Sequence, residues 1–356
     1  MKILVTGNLG YIGPVVGNHL RTVLPGAEIY GLDNGYFIDT ALHPETSPVP
    51  WNQQYYGDIR ELDLRVLEGI DTIVHLAAIS NDPMGDRYGP VTEAINQQAS
   101  IRLAHAAKEL GVKRFVFASS CSIYGSASDG PRCETDTVNP LTAYARSKVC
   151  MEKALAEISD THFSSVCLRF STACGYSPRL RLDLVLNDFV ATALADSKIR
   201  ILSDGTPWRP LIDVADMARA IEWACTTTAI PSNWLAVNVG SNERNYQVCE
   251  LAHQVSDILG GVAIEINRDA SPDKRSYQVD FSRFKTLAPK HQPQVSLAQS
   301  IQNVAQSLKG FNTQQLYKLK KKLTRLHVLE TLQANGALND ELSWIEATPC
   351  TAATPR

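Results

Sequence analysis

Residues 1–13 read MKILVTGNLGYIG, and the spacing of the glycines in that stretch decides the fold. An apolar, β-branched run meets Gly7, and Gly10 and Gly13 follow in G-x-x-G-x-x-G spacing. Backbone without a Cβ can lie close against a diphosphate, and the N-terminus of a helix starting there stabilises its charge. A strand–helix turn that merely needs glycine has the same spelling, so context decides. Here the context is a strand before the loop, a helix after it, and Asp33 in GLDN at the end of a second strand. A carboxylate at that point accepts both ribose hydroxyls of NAD and repels the 2′-phosphate of NADP. The stretch predicts an NAD site, with Gly7, Gly10, Tyr11, Ile12, Gly13, Asp33 and Asn34 as candidate contacts.

Working outward, the runs EIYGLD, TIVHLAA, RFVFASS and SVCLRF are short and apolar nearly throughout, as strands covered on both faces must be. Helix-length segments alternate with them, among them 89–110, which stops at Gly111, and 142–158. Alternation of this kind over residues 1–172 predicts an α/β fold with a Rossmann-type doubly wound parallel sheet. Beyond residue 172 the rhythm loosens, which predicts a smaller substrate-binding lobe over 173–310, with segments about 211–240 partly returning to the first domain. Residues 311–356 form a helical tail in which Leu316, Leu319, Leu323, Leu326 and Leu329 recur at helical intervals beside clustered lysines. A basic amphipathic helix suits a membrane surface or a partner. The plainer expectation is a helix packed on the body with its lysines in water.

The 356 residues carry a net charge of −3, which gives no pull toward nucleic acid or anionic membrane. The N-terminus lacks the pattern of a signal peptide, and no run approaches the ~18–20 apolar residues of a membrane span. A cytoplasmic protein with no membrane span is expected. The eight cysteines include no C-x-x-C pair, so neither a metal site nor a disulfide framework is expected. Cys150, Cys167, Cys225 and Cys249 read as buried thiols.

YARSK places Tyr144 and Lys148 four apart on one face of a predicted helix. A phenol ordinarily titrates near pH ~10. A fixed ammonium, with the positive nicotinamide of NAD+, favours phenolate and lowers that value. Tyr144 then removes a proton from a substrate hydroxyl. The stretch SSCSIYG, residues 119–125, sits at the end of a strand, where doubly wound sheets bind ligands. A serine hydroxyl there meets the same substrate oxygen.

In order along the chain, TGNLGYIG, GLD, YYGDI, HLAA, FASSCSIYG, YARSK and LRF resemble the NAD-dependent nucleotide-sugar epimerase/dehydratase family of extended short-chain dehydrogenases/reductases. The resemblance covers about residues 1–290. It implies Ser120 as third member of a catalytic triad with Tyr144 and Lys148, and Lys148 on the nicotinamide ribose. It implies Asp58 and Ile59 beside adenine, Leu76, Ala77, Ala78 and Ser119 along the cofactor, and Asn96 on a supporting helix. It also implies a homodimer, through helices 89–110 and 142–158.

Relatives that dehydrate sugars resemble one another in carrying Asp-Glu, or at least Glu, after the serine; here those positions are Cys121 and Ser122. Neither is an effective general base at neutral pH without special activation. A C4 epimerase is expected: hydride leaves C4 for NAD+ and returns to the opposite face. The alternatives are a 4-keto reductase, an atypical dehydratase or decarboxylase with Cys121 as acid or base, and a non-catalytic dinucleotide-binding regulator. At the nucleotide end the resemblance puts Arg209 and Arg275 on the substrate diphosphate and Asn187 on the sugar nucleotide. Thr172 stands in a region where many epimerases have Asn, and Ser80 lies in a polar loop, 79–89, on the sugar side. Arg179 and Arg181 are further cations that an alternating basic/apolar surface segment explains equally well.

Overall fold

The computed structural model describes residues 1–43, 50–127, 130–228, 230–267, 270 and 275–345. Its strands, in chain order, are β1 Lys2–Thr6, β2 Glu28–Asp33, β3 Gln53–Tyr56, β4 Thr72–His75, β5 Arg114–Ser120, β6 Ser164–Phe170, β7 Thr172–Cys174, β8 Lys198–Ile201, β9 Trp208–Asp213, β10 Trp234–Val239, β11 Asn245–Gln247 and β12 Ala263–Ile266. Seven of them form one sheet in the order β3-β2-β1-β4-β5-β6-β10, with every neighbouring pair parallel. The chain moves outward from β1 to β3 and then crosses back to β4. That reversal leaves a crevice beyond the carboxyl ends of β1 and β4.

The strands are apolar on both sides because both faces are covered. Leu4, Ile73, Phe115 and Phe117 point to one face, against Leu103 of helix Ser100–Glu109 and Met151 and Leu155 of helix Ala143–Ile158. Their alternating neighbours Ile3, Val5, Val74 and Val116 point to the other, against Val16 and Leu20 of helix Gly13–Val23 and Ile221 of helix Val214–Thr226. The segment expected to be a single helix over 89–110 is interrupted. Gly89–Glu93 and Ser100–Glu109 are α-helical, a π-helical turn at Ala94–Ala99 joins them, and Gly111 ends the run at φ 81°.

A three-stranded sheet, β11-β9-β7, and a β12-β8 pair surround a separate core built on Leu182, Leu186, Val190, Leu211, Leu251 and Ile301. The tail spans both cores. Leu316 and Leu323 seat in this lobe, while Leu329, Leu338 and Leu342 seat beside the large sheet. The leucine repeat is broken into helices Thr313–Lys322 and Arg325–Ala334. Lys318, Lys321 and Lys322 are exposed, and Lys320 pairs with Asp188 at 2.5 Å. The tail's residues 346–356 lie outside the described residues. Cys167 and Cys225 are buried as expected, but Cys150 and Cys249 are only half-buried. Among the described residues no helix is long and apolar enough to cross a membrane, and no group of His, Cys, Asp or Glu is arranged to hold a metal.

Candidate active site

A cavity of about 440 Å³ opens at the carboxyl ends of the strands. Its sheet-side wall begins with the glycine loop. Gly7 adopts φ 71°, and a Cβ there would stand 2.5 Å from the amide nitrogen of Ala77. The loop therefore lies directly against Leu76 and Ala77, and only glycine allows it. Gly10 faces the cavity with Tyr11 and Ile12. Gly13 does not line it; a Cβ there would stand 2.1 Å from the Asn8 carbonyl oxygen, so this glycine lets the helix close on the loop.

Asp33 ends β2, its carboxylate accepting from the amides of Leu9 (3.0 Å) and Gly35 (2.8 Å). Burial raises its pKa, against the pull of those two N–H groups. Asn34, Asp58 and Ile59 line the same end, and Asp58 is held by Arg60 at 2.7 Å. Leu76, Ala77 and Ala78 form the rim after β4. Asn96 is buried in the π-helical turn and does not face the cavity. Its amide accepts from the Ile79 nitrogen (2.8 Å) and donates to the Ile79 oxygen (2.9 Å), which pins the loop after β4.

At the reacting end, Ser120 closes β5 and caps the turn Cys121–Tyr124, its Oγ accepting from the Ser122 amide at 3.1 Å. The same side chain hydrogen-bonds the Tyr144 phenol. Thr142 caps the next helix through the Ala145 amide (3.1 Å), and the four-residue step brings Tyr144 and Lys148 to the cavity together. Lys148 Nζ donates to the Ala118 oxygen at 2.7 Å and lies 5.4 Å from the centre of the Tyr144 ring. The expected acid phenol is not produced by the chain's own groups. Burial, with the Asp82 charge, pushes Tyr144 up to about 12, against the Ser120 hydrogen bond and Arg181. Burial likewise draws Lys148 down to about 7, against the Glu152 charge. Ser119 lines the cavity but turns its hydroxyl onto Glu152 at 2.5 Å. Glu152 in turn forms a buried ion pair with Arg169 at 2.7 Å. Glu152 was missed, although it stands four residues after Lys148 on the same helix face.

Cys121 is corrected as a candidate acid or base. Its thiol is fully buried, donates to the Arg169 carbonyl at 3.1 Å, lies off the cavity and is driven up in pKa by burial. Asn187 is likewise corrected. It is fully buried and serves backbone: Oδ1 accepts from Gly175 (3.0 Å) and Nδ2 donates to the Arg181 oxygen (2.9 Å).

The opposite wall is cationic. Arg181, Arg209, Arg275 and Arg325 all line the cavity, as do Thr172 and Tyr277. Arg181 is no surface residue: it is buried, chelates Asp183 at 2.9 Å through two nitrogens, and donates to Ser80 Oγ at 3.0 Å. Arg179 is half-buried, donating to the Phe37 and Ile38 oxygens. Arg275 reaches Asp82 at 2.8 Å, and Arg209 donates to the Arg275 carbonyl. The expected loop at 79–89 contains a short helix, Asp82–Arg87, capped by Asn81. Arg325 was not expected at all. Loop glycines that a Cβ would fill, a strand-end acid and a cationic far wall together fit a bound dinucleotide.

Comparison with known proteins agrees with that geometry. The family model described as "NAD dependent epimerase/dehydratase family" matches residues 3–240. A Bacillus subtilis relative named an uncharacterized UDP-glucose epimerase is 29% identical over 327 residues, 85% of this chain and 96% of its own. The solved structure of MoeE5 with UDP-glucose and NAD superposes with a TM-score of 0.73 at 26% identity, covering 87% of this chain and 99% of that one. UDP-glucuronic acid 4-epimerase from Bacillus cereus, solved with NAD, gives 0.74 at 25% identity, covering 87% and 96%.

Proposed function

We propose, from the premise that the chain belongs to the NAD-dependent epimerase/dehydratase family, that it inverts C4 of a nucleotide sugar. NAD, when bound, supplies the acceptor for the C4 hydride and returns it. Tyr144 takes the C4 hydroxyl proton and gives it back, Ser120 hydrogen-bonds the same oxygen, and Lys148 holds the proton-transfer end in place. Arg209 and Arg275 neutralise the substrate diphosphate. Residues 1–172, with about 211–240, hold the cofactor, and 173–310 mainly the nucleotide sugar. A cytoplasmic homodimer completes the reading, and light scattering tests its mass.

One observation carries the choice of reaction: among the described residues, every carboxylate lining the cavity already has a protein partner. Asp33 is held by two amides, Asp58 by Arg60, Asp82 by Arg275 and Asp183 by Arg181. Among the described residues no unpaired carboxylate is left for the C5 proton that dehydration removes, whereas the C4 hydroxyl proton of epimerisation has Tyr144. The test incubates the protein with UDP-, dTDP-, GDP- and CDP-sugars and reads products by NMR. A C4 epimer without solvent deuterium at C5 is expected. Deuterium at C5 overturns the reading, and stoichiometric release of oxidised cofactor marks a 4-keto reductase instead.

A further inference from the structure

Arg325 is the largest fully buried side chain of the described residues, at 1% exposure, yet it opens a helix in the C-terminal tail. Its guanidinium stacks 4.8 Å from the centre of the Phe37 ring, and Nη2 donates to the Arg179 carbonyl at 2.9 Å. Nη1, also buried, has no hydrogen-bond partner among the described residues. The charged groups around it are Arg181, Asp183, Arg179 and Asp33. Asp183 is taken by Arg181, and Asp33 by two amides. Burial and the neighbouring arginines draw Arg325 down to about 9, so it is still charged at neutral pH.

A buried guanidinium with one unpaired end is unfavourable unless an anion completes it. Its place in the cavity narrows the anion. Phe37 lies four residues beyond Asp33 at the cofactor end, and Gly10 and the glycine loop line the same cavity. The segment that carries Arg325 is fastened to that end too. Arg60 Nη1 donates to the Glu341 oxygen (2.6 Å), Trp344 Nε1 to the Asn34 oxygen (2.9 Å), and the Tyr36 hydroxyl to the Leu342 oxygen. The substrate diphosphate has Arg209 and Arg275 of its own.

We propose that Arg325, brought in by the C-terminal tail, binds the diphosphate of the dinucleotide opposite the glycine loop, with the segment 325–345 strapping the cofactor in place. The proposal rests on the reading of this cavity as the dinucleotide site. Calorimetry on nucleotide-stripped full-length protein compares ADP-ribose, adenosine and UDP binding in wild type, Arg325→Met and Arg325→Lys. In Arg325→Met, ADP-ribose affinity should fall on the order of tenfold to a hundredfold while adenosine and UDP stay within about twofold. Lysine should recover part of the loss. The ligand-free Met variant should melt no lower than wild type, because a buried charge lacking its full set of partners has been removed. Should it melt lower, Arg325→Lys carries the comparison, and its ADP-ribose deficit must still exceed any UDP deficit. Unchanged ADP-ribose affinity, or an equal loss for UDP, overturns the proposal. Failure of wild type to bind ADP-ribose or NAD removes the dinucleotide reading itself.

Discussion

The two walls of the cavity are built in opposite ways. The sheet-side wall consists of backbone and side chains at strand ends, with Tyr144 and the buried ammonium of Lys148 brought in by helix Ala143–Ile158. The far wall consists of arginines delivered by separate segments: Arg181 ahead of helix Val185–Asp196, Arg209 on β9, Arg275 from a loop and Arg325 from the tail. The first wall has geometry suited to a dinucleotide and to proton transfer. The second has charge suited to diphosphates. The difference teaches that chemistry and affinity are separable here, and substitutions should separate them.

The largest expected effect is at Tyr144. Tyr144→Phe should lower kcat by roughly a hundredfold to ten-thousandfold with NAD still bound, measured by turnover and by calorimetry. Turnover near wild type would erase the division between the walls. Next is the footing of the sheet-side wall. Glu152→Ala leaves Arg169 buried without its partner and should cost roughly 3–5 kcal/mol in urea unfolding. A loss under ~1 kcal/mol would mean that this pair is not what holds Ser119 and the helix together.

Beside Arg181 of the far wall, but off the cavity, Asn187→Ala should cost about 1–3 kcal/mol of stability, since it strands buried backbone groups. The KM for the sugar nucleotide should hardly move; a large rise in KM at full stability would restore Asn187 as a contact. The remaining effect is graded by pH and vanishes at neutrality. His75, buried under the sheet-side wall between Thr6 and Ser100, is drawn down by burial from 6.5 to about 3. Between those values the unfolded chain binds a proton that the folded chain does not. Stability should therefore fall as pH drops from 6.5 toward 3, by at most about 1.4 kcal/mol per pH unit from this group. His75→Gln should flatten that part of the curve, as melting temperatures at pH 4–6.5 will tell.

The sheet was legible because its signals are local. Short, continuously apolar runs mark the strands, and glycine spacing with Asp33 marks the first crossover. The four-residue step from Tyr144 to Lys148 fixes that pair on its own. The π-helical turn at Ala94–Ala99 was hidden, since AINQQA spells an ordinary helix and no residue in it marks the wider turn. Arg181 reads equally as a site cation or a surface residue because its burial depends on Asp183 and Ser80, the latter a hundred and one positions away. Asn187 and Arg325 were misread or unseen for the same reason. Whether an amide meets a ligand or three backbone groups, and whether a basic helix turns one guanidinium inward, are settled by packing between distant segments.

Trp344 gives this arrangement an optical handle. Its indole is 37% exposed, sits 6.0 Å from the Tyr36 ring and donates to Asn34, one residue past Asp33. Undocking the strap would move that indole into water and away from its tyrosine neighbour. Emission from a variant keeping only this tryptophan would therefore gauge, without any added dye, how firmly the end of the chain grips its beginning.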